Sequence, residues 1–196
     1  SQYRSLIRRS TLRDCLRMSQ IVFLLDTNIL SDSSKLKQNP SVKAWLRSQA
    51  QVAIPFPVIV EFQQGIAKVR TSHPEKADQL EAWFEWLITS DYIYPEMTRE
   101  TAILLGAMNA SRPLKNLWLV YEKHRDALPK HDLCIAAIAI AHGLPVATID
   151  TKDFLLIHRY FRLPGLFNPA TGNWAVRPIE RASESDKDEF QRATLQ

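Results

Sequence analysis

The sequence predicts an α/β fold built on a central, mostly parallel sheet of four or five strands, and three observations carry that prediction. Residues 21–25 form an unbroken apolar run rich in β-forming side chains that gives way at once to Asp26, Thr27 and Asn28. This is the pattern of a strand buried on both faces and ended by an acidic turn. Further short apolar runs, at 52–54 and 144–149, alternate with segments whose apolar residues recur at helical spacing. The clearest helix, residues 130–143, leads directly into one of these runs and ends at Gly143, a natural stop. Strands that alternate with helices build parallel sheets, because a parallel neighbour requires a long crossover.

Length and composition fit this class. The chain has 196 residues, 45% of them hydrophobic and 23% charged, which is room for one domain with a substantial core. No apolar run approaches the roughly 20 residues of a membrane span, so no membrane association is expected. Cys15 and Cys134 are far apart and in no metal-like spacing. They give no disulfide framework, which fits a reducing compartment, and a cytoplasmic location is expected. The formal charge of +4 resides entirely in residues 1–17, where five arginines face one acid, so the remainder is neutral. Residues 1–17 are read as an N-terminal extension, non-native or disordered, with Met18 the expected natural start; the domain is expected over 18–176, and a polar tail over 177–196.

Taken in order, residues 31–39 read as a polar loop, and Pro40 opens a helix with Val42, Trp45 and Leu46 on one face. Residues 52–54 are the second strand, stopped by Pro55 and Pro57. A helix then carries Val58, Phe62, Ile66 and Val69 inward, with Glu61 early in it, and a second places Leu80, Trp83, Phe84 and Leu87 in an apolar stripe. Residues 92–94 are a candidate third strand. Thr98 caps a helix whose expected buried side is Ile103, Leu104, Ala107 and Met108. Residues 112–131 form the one locally basic surface of the body, with Arg112, Lys115, Lys123, Arg125 and Lys130 as candidate phosphate contacts. Asp132 opens the helix that ends at Gly143, residues 144–149 form a strand, and residues 150–154 form an acidic turn. A last edge strand or loop is expected over 166–174.

The acids follow from this layout. Asp26 and the pair Asp150 and Asp153 fall at carboxyl ends of strands, where ligands of open α/β sheets bind. Glu61 and Asp132 sit early on helices leaving the same edge. Asp26 alone is equally well explained as a helix cap. Crowded carboxylates, however, need raised pKa values or a cation, and an all-oxygen site suits Mg²⁺ or Mn²⁺. Such a site can orient and activate water for phosphodiester hydrolysis.

Four segments together resemble a known family. They are Leu24, Leu25, Asp26, Thr27, Asn28, Ile29, Leu30; Val58, Ile59, Val60, Glu61, Phe62 with Gly65 and Ile66; Asp132, Leu133, Cys134, Ile135, Ala136, Ala137; and Val146, Ala147, Thr148, Ile149, Asp150, Thr151, Lys152, Asp153, Phe154. Their order and spacing, over about 21–174, resemble the motifs of PIN-domain ribonucleases, most closely the VapC and FitB-like toxins of bacterial toxin–antitoxin pairs. The resemblance implies a three-layer α/β/α PIN-like domain and an Mg²⁺-dependent endoribonuclease that leaves a 5′ phosphate on its product. It implies Asp26, Glu61 and Asp132 as metal-binding acids, with Asp150 or Asp153 as the fourth, and Thr27, Asn28 and Thr148 as polar residues that arrange them. Both candidate fourth positions are acidic here, which leaves that choice open, and Phe62, Gln63 and Gln64 depart from the smaller or charged residues common beside the second acid. The implied partners are an RNA substrate, a cognate antitoxin, a second copy in a homodimer, and operator DNA reached only through the antitoxin. Stripes around Trp83 and Trp118 are candidate partner surfaces.

Other readings are weaker. A haloacid-dehalogenase-like phosphatase needs a second aspartate where Asn28 stands. A metal-free ribonuclease needs paired imidazoles, and of the five histidines only His131, beside Asp132, is placed for a test. A protein- and DNA-binding module is compatible with the toxin reading rather than opposed to it.

Overall fold

The structure, a computed structural model, describes residues 21–35, 37–117 and 131–178. The expected extension 1–17 and all of the tail beyond Pro178 lie outside the described residues, as do Trp118, Lys123, Arg125 and Lys130. Strands β1 (Phe23–Leu25), β2 (Val52–Ala53), β3 (Val146–Ala147), β4 (Leu166–Asn168) and β5 (Asn173–Val176) form one sheet in the order β2-β1-β3-β4-β5. The first four run parallel, and β5 returns antiparallel along the edge of β4. Phe23, Leu24 and Leu25 are at most 1% exposed. Because successive strand side chains point to opposite faces, this burial means that both faces of the sheet are covered, as the three-layer α/β/α arrangement requires. Each such side chain contributes about 1.5–3 kcal/mol by leaving water.

The covering helices are α1 (Thr27–Ser33), α2 (Pro40–Ser48), α3 (Phe56–Ser72), α4 (Pro74–Thr89), α5 (Arg99–Ala110), α6 (Asp132–His142) and α7 (Lys152–Tyr160), with a 3₁₀ turn at Arg112–Leu117. Their ends are set by local chemistry. Asn39 caps α2 by accepting from the Ser41 amide at 3.0 Å, with Pro40 supplying a first residue that needs no donor partner. Thr98 caps α5 through the Thr101 amide at 3.1 Å. Gly143 ends α6 at φ 66, the left-handed conformation that glycine adopts without strain. On α6, Leu133 and every residue from Ile135 through Ala139 are buried. That explains its nearly continuous apolar sequence, and it fixes Asp132 at the point where the helix leaves the sheet edge. At Gly165 a Cβ would stand 2.9 Å from the Pro145 Cβ and 3.0 Å from the Trp174 ring, so β3 and β4 approach closely because a hydrogen occupies that position. Phe23 centres an aromatic cluster, its ring 5.3 Å from Trp45, 5.5 Å from Phe167 and 5.6 Å from Trp174.

Several elements differ from the sequence expectation. The polar stretch after Asp26 is not a loop from residue 31: α1 continues to Ser33, because Ile29 and Leu30 bury one face of it. Residues 92–94 contribute only a single parallel bridge, Ile93 to Ala53, before Pro95 ends the pairing. On α5 the inward line is Thr101 and Met108, while Ile103 is 66% exposed. The acidic turn closes earlier than expected, with α7 beginning at Lys152 and burying Phe154 and Ile157. The last strand is two, joined at Gly172 (φ 70). Trp83, on the stripe expected as a partner surface, is half-buried, its ring 5.1 Å from that of Phe62. Among the described residues no helix is long and apolar enough to cross a membrane.

Candidate functional site

The site starts where β1 ends. The Asp26 amide still donates to the Ala147 carbonyl at 3.0 Å, extending the β1–β3 ladder by one residue. Its extended backbone (φ −82, ψ 157) then lets the side chain turn back over α1, where Oδ1 accepts from the Thr27 amide at 2.7 Å. Asp26 is therefore the helix cap that its sequence allows. It is also a buried carboxylate, 6% exposed, at the mouth of a cleft.

The other oxygen is held from the neighbouring strand. Asp26 Oδ2 accepts from Asn28 Nδ2 at 2.6 Å and from the Thr148 hydroxyl at 2.7 Å. Asn28 Nδ2 also donates to Thr148 Oγ1 at 2.8 Å, and Asn28 Oδ1 accepts from the Ile149 amide at 3.1 Å. Thr148, fully buried, accepts from the Asp150 amide at 3.1 Å. Asn168 Nδ2 donates to the Ile149 carbonyl at 3.0 Å, which fastens the same turn from β4. Three donors on a carboxylate with about four acceptor positions leave Asp26 room for one further partner.

Glu61 from the second turn of α3, Asp132 from the start of α6, and Asp150 and Asp153 from the start of α7 line the same cleft of about 470 Å³. All five acids named from the sequence are thus brought to one place. Thr27, Asn28, Ser31, Lys35 and Ile149 complete its wall. Asp150 Oδ1 also accepts from the Lys152 amide at 3.2 Å, helping to open α7. Burial, reinforced by the charges of Glu61 and Asp150, pushes the Asp26 carboxyl up to about 6, against the opposing pull of the Thr148 and Thr27 hydrogen bonds. The charge of Asp150, one of the two candidates for the fourth acid, acts on Asp26.

Other expectations are not met. Arg112 and Lys115 are exposed on the 3₁₀ turn and line no part of the cleft. No histidine lines it among the described residues, and the buried Nε2 of His131 lies elsewhere without a hydrogen-bond partner. Ser31, Lys35 and Asn168 were not singled out from sequence. For Ser31 a signal existed: it stands four residues after Thr27, on the same side of a helix that begins at the Asp26 cap.

An all-oxygen, predominantly acidic wall is the donor set that hard divalent cations select. Among the described residues no three His, Cys, Asp or Glu side chains are gathered into a ready-made ion cage. The buried Thr27 Oγ1, which has no hydrogen-bond partner, adds an unspent polar atom on this wall.

The sequence profile described as the PIN domain matches residues 23–158. Among curated proteins, VapC ribonuclease Y4jK of Sinorhizobium fredii is 27% identical over 135 residues, covering 68% of this chain and 90% of that protein. Ribonuclease VapC of Rickettsia bellii is 28% identical over 131 residues, covering 67% and 87%. Among solved structures, a chain of VapBC2 from Rickettsia felis bound to a DNA fragment from their promoter matches with a TM-score of 0.53 at 23% identity, covering 76% of this chain and 98% of that one. The last likeness is one of fold.

Proposed function

The chain belongs to the PIN-domain family, and on that premise we propose that it is a divalent-metal-dependent endoribonuclease, the toxin of a toxin–antitoxin pair. The observation that carries the reading is the convergence of Asp26, Glu61, Asp132, Asp150 and Asp153, from four separate segments, on one cleft around a buried carboxylate. Relatives named as ribonucleases support the activity.

Asp26, Asp132 and Asp150 or Asp153 would hold Mg²⁺ or Mn²⁺, with Glu61 as a ligand or as the base beside the attacking water. When bound, the ion lowers the pKa of water and offsets charge developing on phosphate oxygens. This chain's own contribution is preorganisation. Asn28, Thr148 and the Thr27 amide fix both oxygens of Asp26, so no reorientation is needed when substrate arrives. Glu61, on a different helix, accepts or relays the proton of the water.

The VapBC2 neighbour is described as bound to a DNA fragment from its promoter, and the reading for this chain follows the same pattern: a cognate antitoxin covers the acidic cleft and contacts operator DNA, and the toxin forms a homodimer. Cleavage of pooled cellular RNA with Mg²⁺ added, chelated by EDTA and added back tests the activity. Loss on chelation and recovery on add-back are expected; undiminished cleavage in excess EDTA overturns the metal assignment.

A further inference from the structure

Among the described residues one cation lines the acidic cleft, and it is Lys35. RNA carries a charge on every phosphate, so a wall of five carboxylates repels the substrate it is meant to cut unless positive charge stands beside it. Of the five basic residues expected to supply that charge, Arg112 and Lys115 line no part of the cleft, and Lys123, Arg125 and Lys130 lie outside the described residues. We propose that Lys35 is a substrate-binding residue, contacting an RNA phosphate adjacent to the one being cleaved, and that Asp32 is the positioning residue that aims it. The proposal rests on the ribonuclease reading.

The geometry supports aiming rather than neutralisation. Lys35 Nζ is 3.9 Å from Asp32 Oδ1, at the limit of an ion pair, and the lysine side chain is 62% exposed while that of Asp32 is 10% exposed. A contact so long and wet leaves most of the lysine's charge available. Asp32 itself is firmly placed: Oδ2 accepts from the Asn39 amide at 3.0 Å, and its carbonyl accepts from the Lys35 amide at 3.1 Å. The base of Lys35 is thus tied to α1, the helix that Asp26 caps, and its four-carbon stem reaches into the cleft that Asp26 begins. An ordinary solvated lysine would also pair with an acid three residues before it, and the experiment separates the two.

Cleavage of pooled cellular RNA in Mg²⁺ is measured for wild type, Lys35→Gln, Lys35→Arg and Asp32→Asn over a series of salt concentrations, with apparent KM and kcat resolved. Lys35→Gln is expected to raise apparent KM about 2- to 5-fold, the effect of one partly exposed charge contact, with kcat within about twofold of wild type. Its dependence of log KM on log salt should be shallower by about 0.7, one phosphate contact fewer to a single strand. Lys35→Arg should stay near wild type, because a guanidinium also binds phosphate, and Asp32→Asn should raise KM less than Lys35→Gln. Unchanged KM and salt slope in Lys35→Gln, beside an active wild type, overturn the role of Lys35 and leave the ribonuclease reading standing. Wild type that cleaves no RNA overturns both.

Discussion

Asn28 Nδ2 donates to Thr148 Oγ1 across 2.8 Å although the two residues are 120 positions apart, and both side chains donate to the same oxygen of Asp26. The first and last motifs of the site, at the ends of β1 and β3, are therefore one hydrogen-bonded unit built around a carboxylate.

Removing either donor should expose that dependence. Thr148→Val and Asn28→Ala are each expected to destabilise the metal-free protein by about 1–3 kcal/mol, because a buried acceptor loses a partner. Urea melts should show a larger loss at pH 8, where Asp26 is ionised, than at pH 5. The double variant should lose less than the sum of the two, as residues in one network do; strict additivity would show that they act separately.

The raised pKa of Asp26 makes a second prediction. Its ordinary value is 3.8 and its folded value is about 6, so the folded chain binds this proton more tightly than the unfolded one. The resulting stability is complete below the unfolded value and is lost as pH rises through the folded one, on the order of 3 kcal/mol in all. Denaturation of metal-free protein between pH 4 and 7 should show this decline in wild type and not in Asp26→Asn. Adding Mg²⁺ above pH 6 should restore stability to wild type alone, since a ligand bound only by the folded state stabilises it.

The charges that act on Asp26 should show in the same titration. Asp150→Asn removes a charge that acts on Asp26 and should lower the Asp26 pKa, read by ¹³C NMR of its carboxyl carbon. Glu61→Gln should lower it as well. An unchanged pKa in both Asp150→Asn and Glu61→Gln would show that neither charge acts on the buried carboxylate.

Much of this arrangement was legible in the sequence, because each acid sits at a boundary that the sequence marks. Asp26 ends an apolar run, Glu61 follows two prolines that open α3, and Asp132 precedes a helix apolar all round. Asp26 caps α1 through one oxygen, and its other oxygen is held by Asn28 and Thr148 at the cleft. Lys35 stayed hidden because its place in the cleft depends on α1 continuing to Ser33, and polar Ser31, Asp32 and Ser33 look like loop. The short α7 was read as a turn because it buries only Phe154 and Ile157. The inward face of α5 also departs from its apolar pattern: Ile103 faces solvent, whereas Thr101 is buried, its hydroxyl 3.0 Å from that of Thr98.

The central claim is that the cleft begun by Asp26 cuts RNA. Sequencing the new RNA ends in cells that express wild type, beside cells that express Asp26→Asn, tests it most directly, with circular dichroism confirming that the variant is folded. New ends at discrete sites in the wild-type cells, absent with Asp26→Asn, are predicted. The same ends at the same abundance with folded Asp26→Asn would contradict the account.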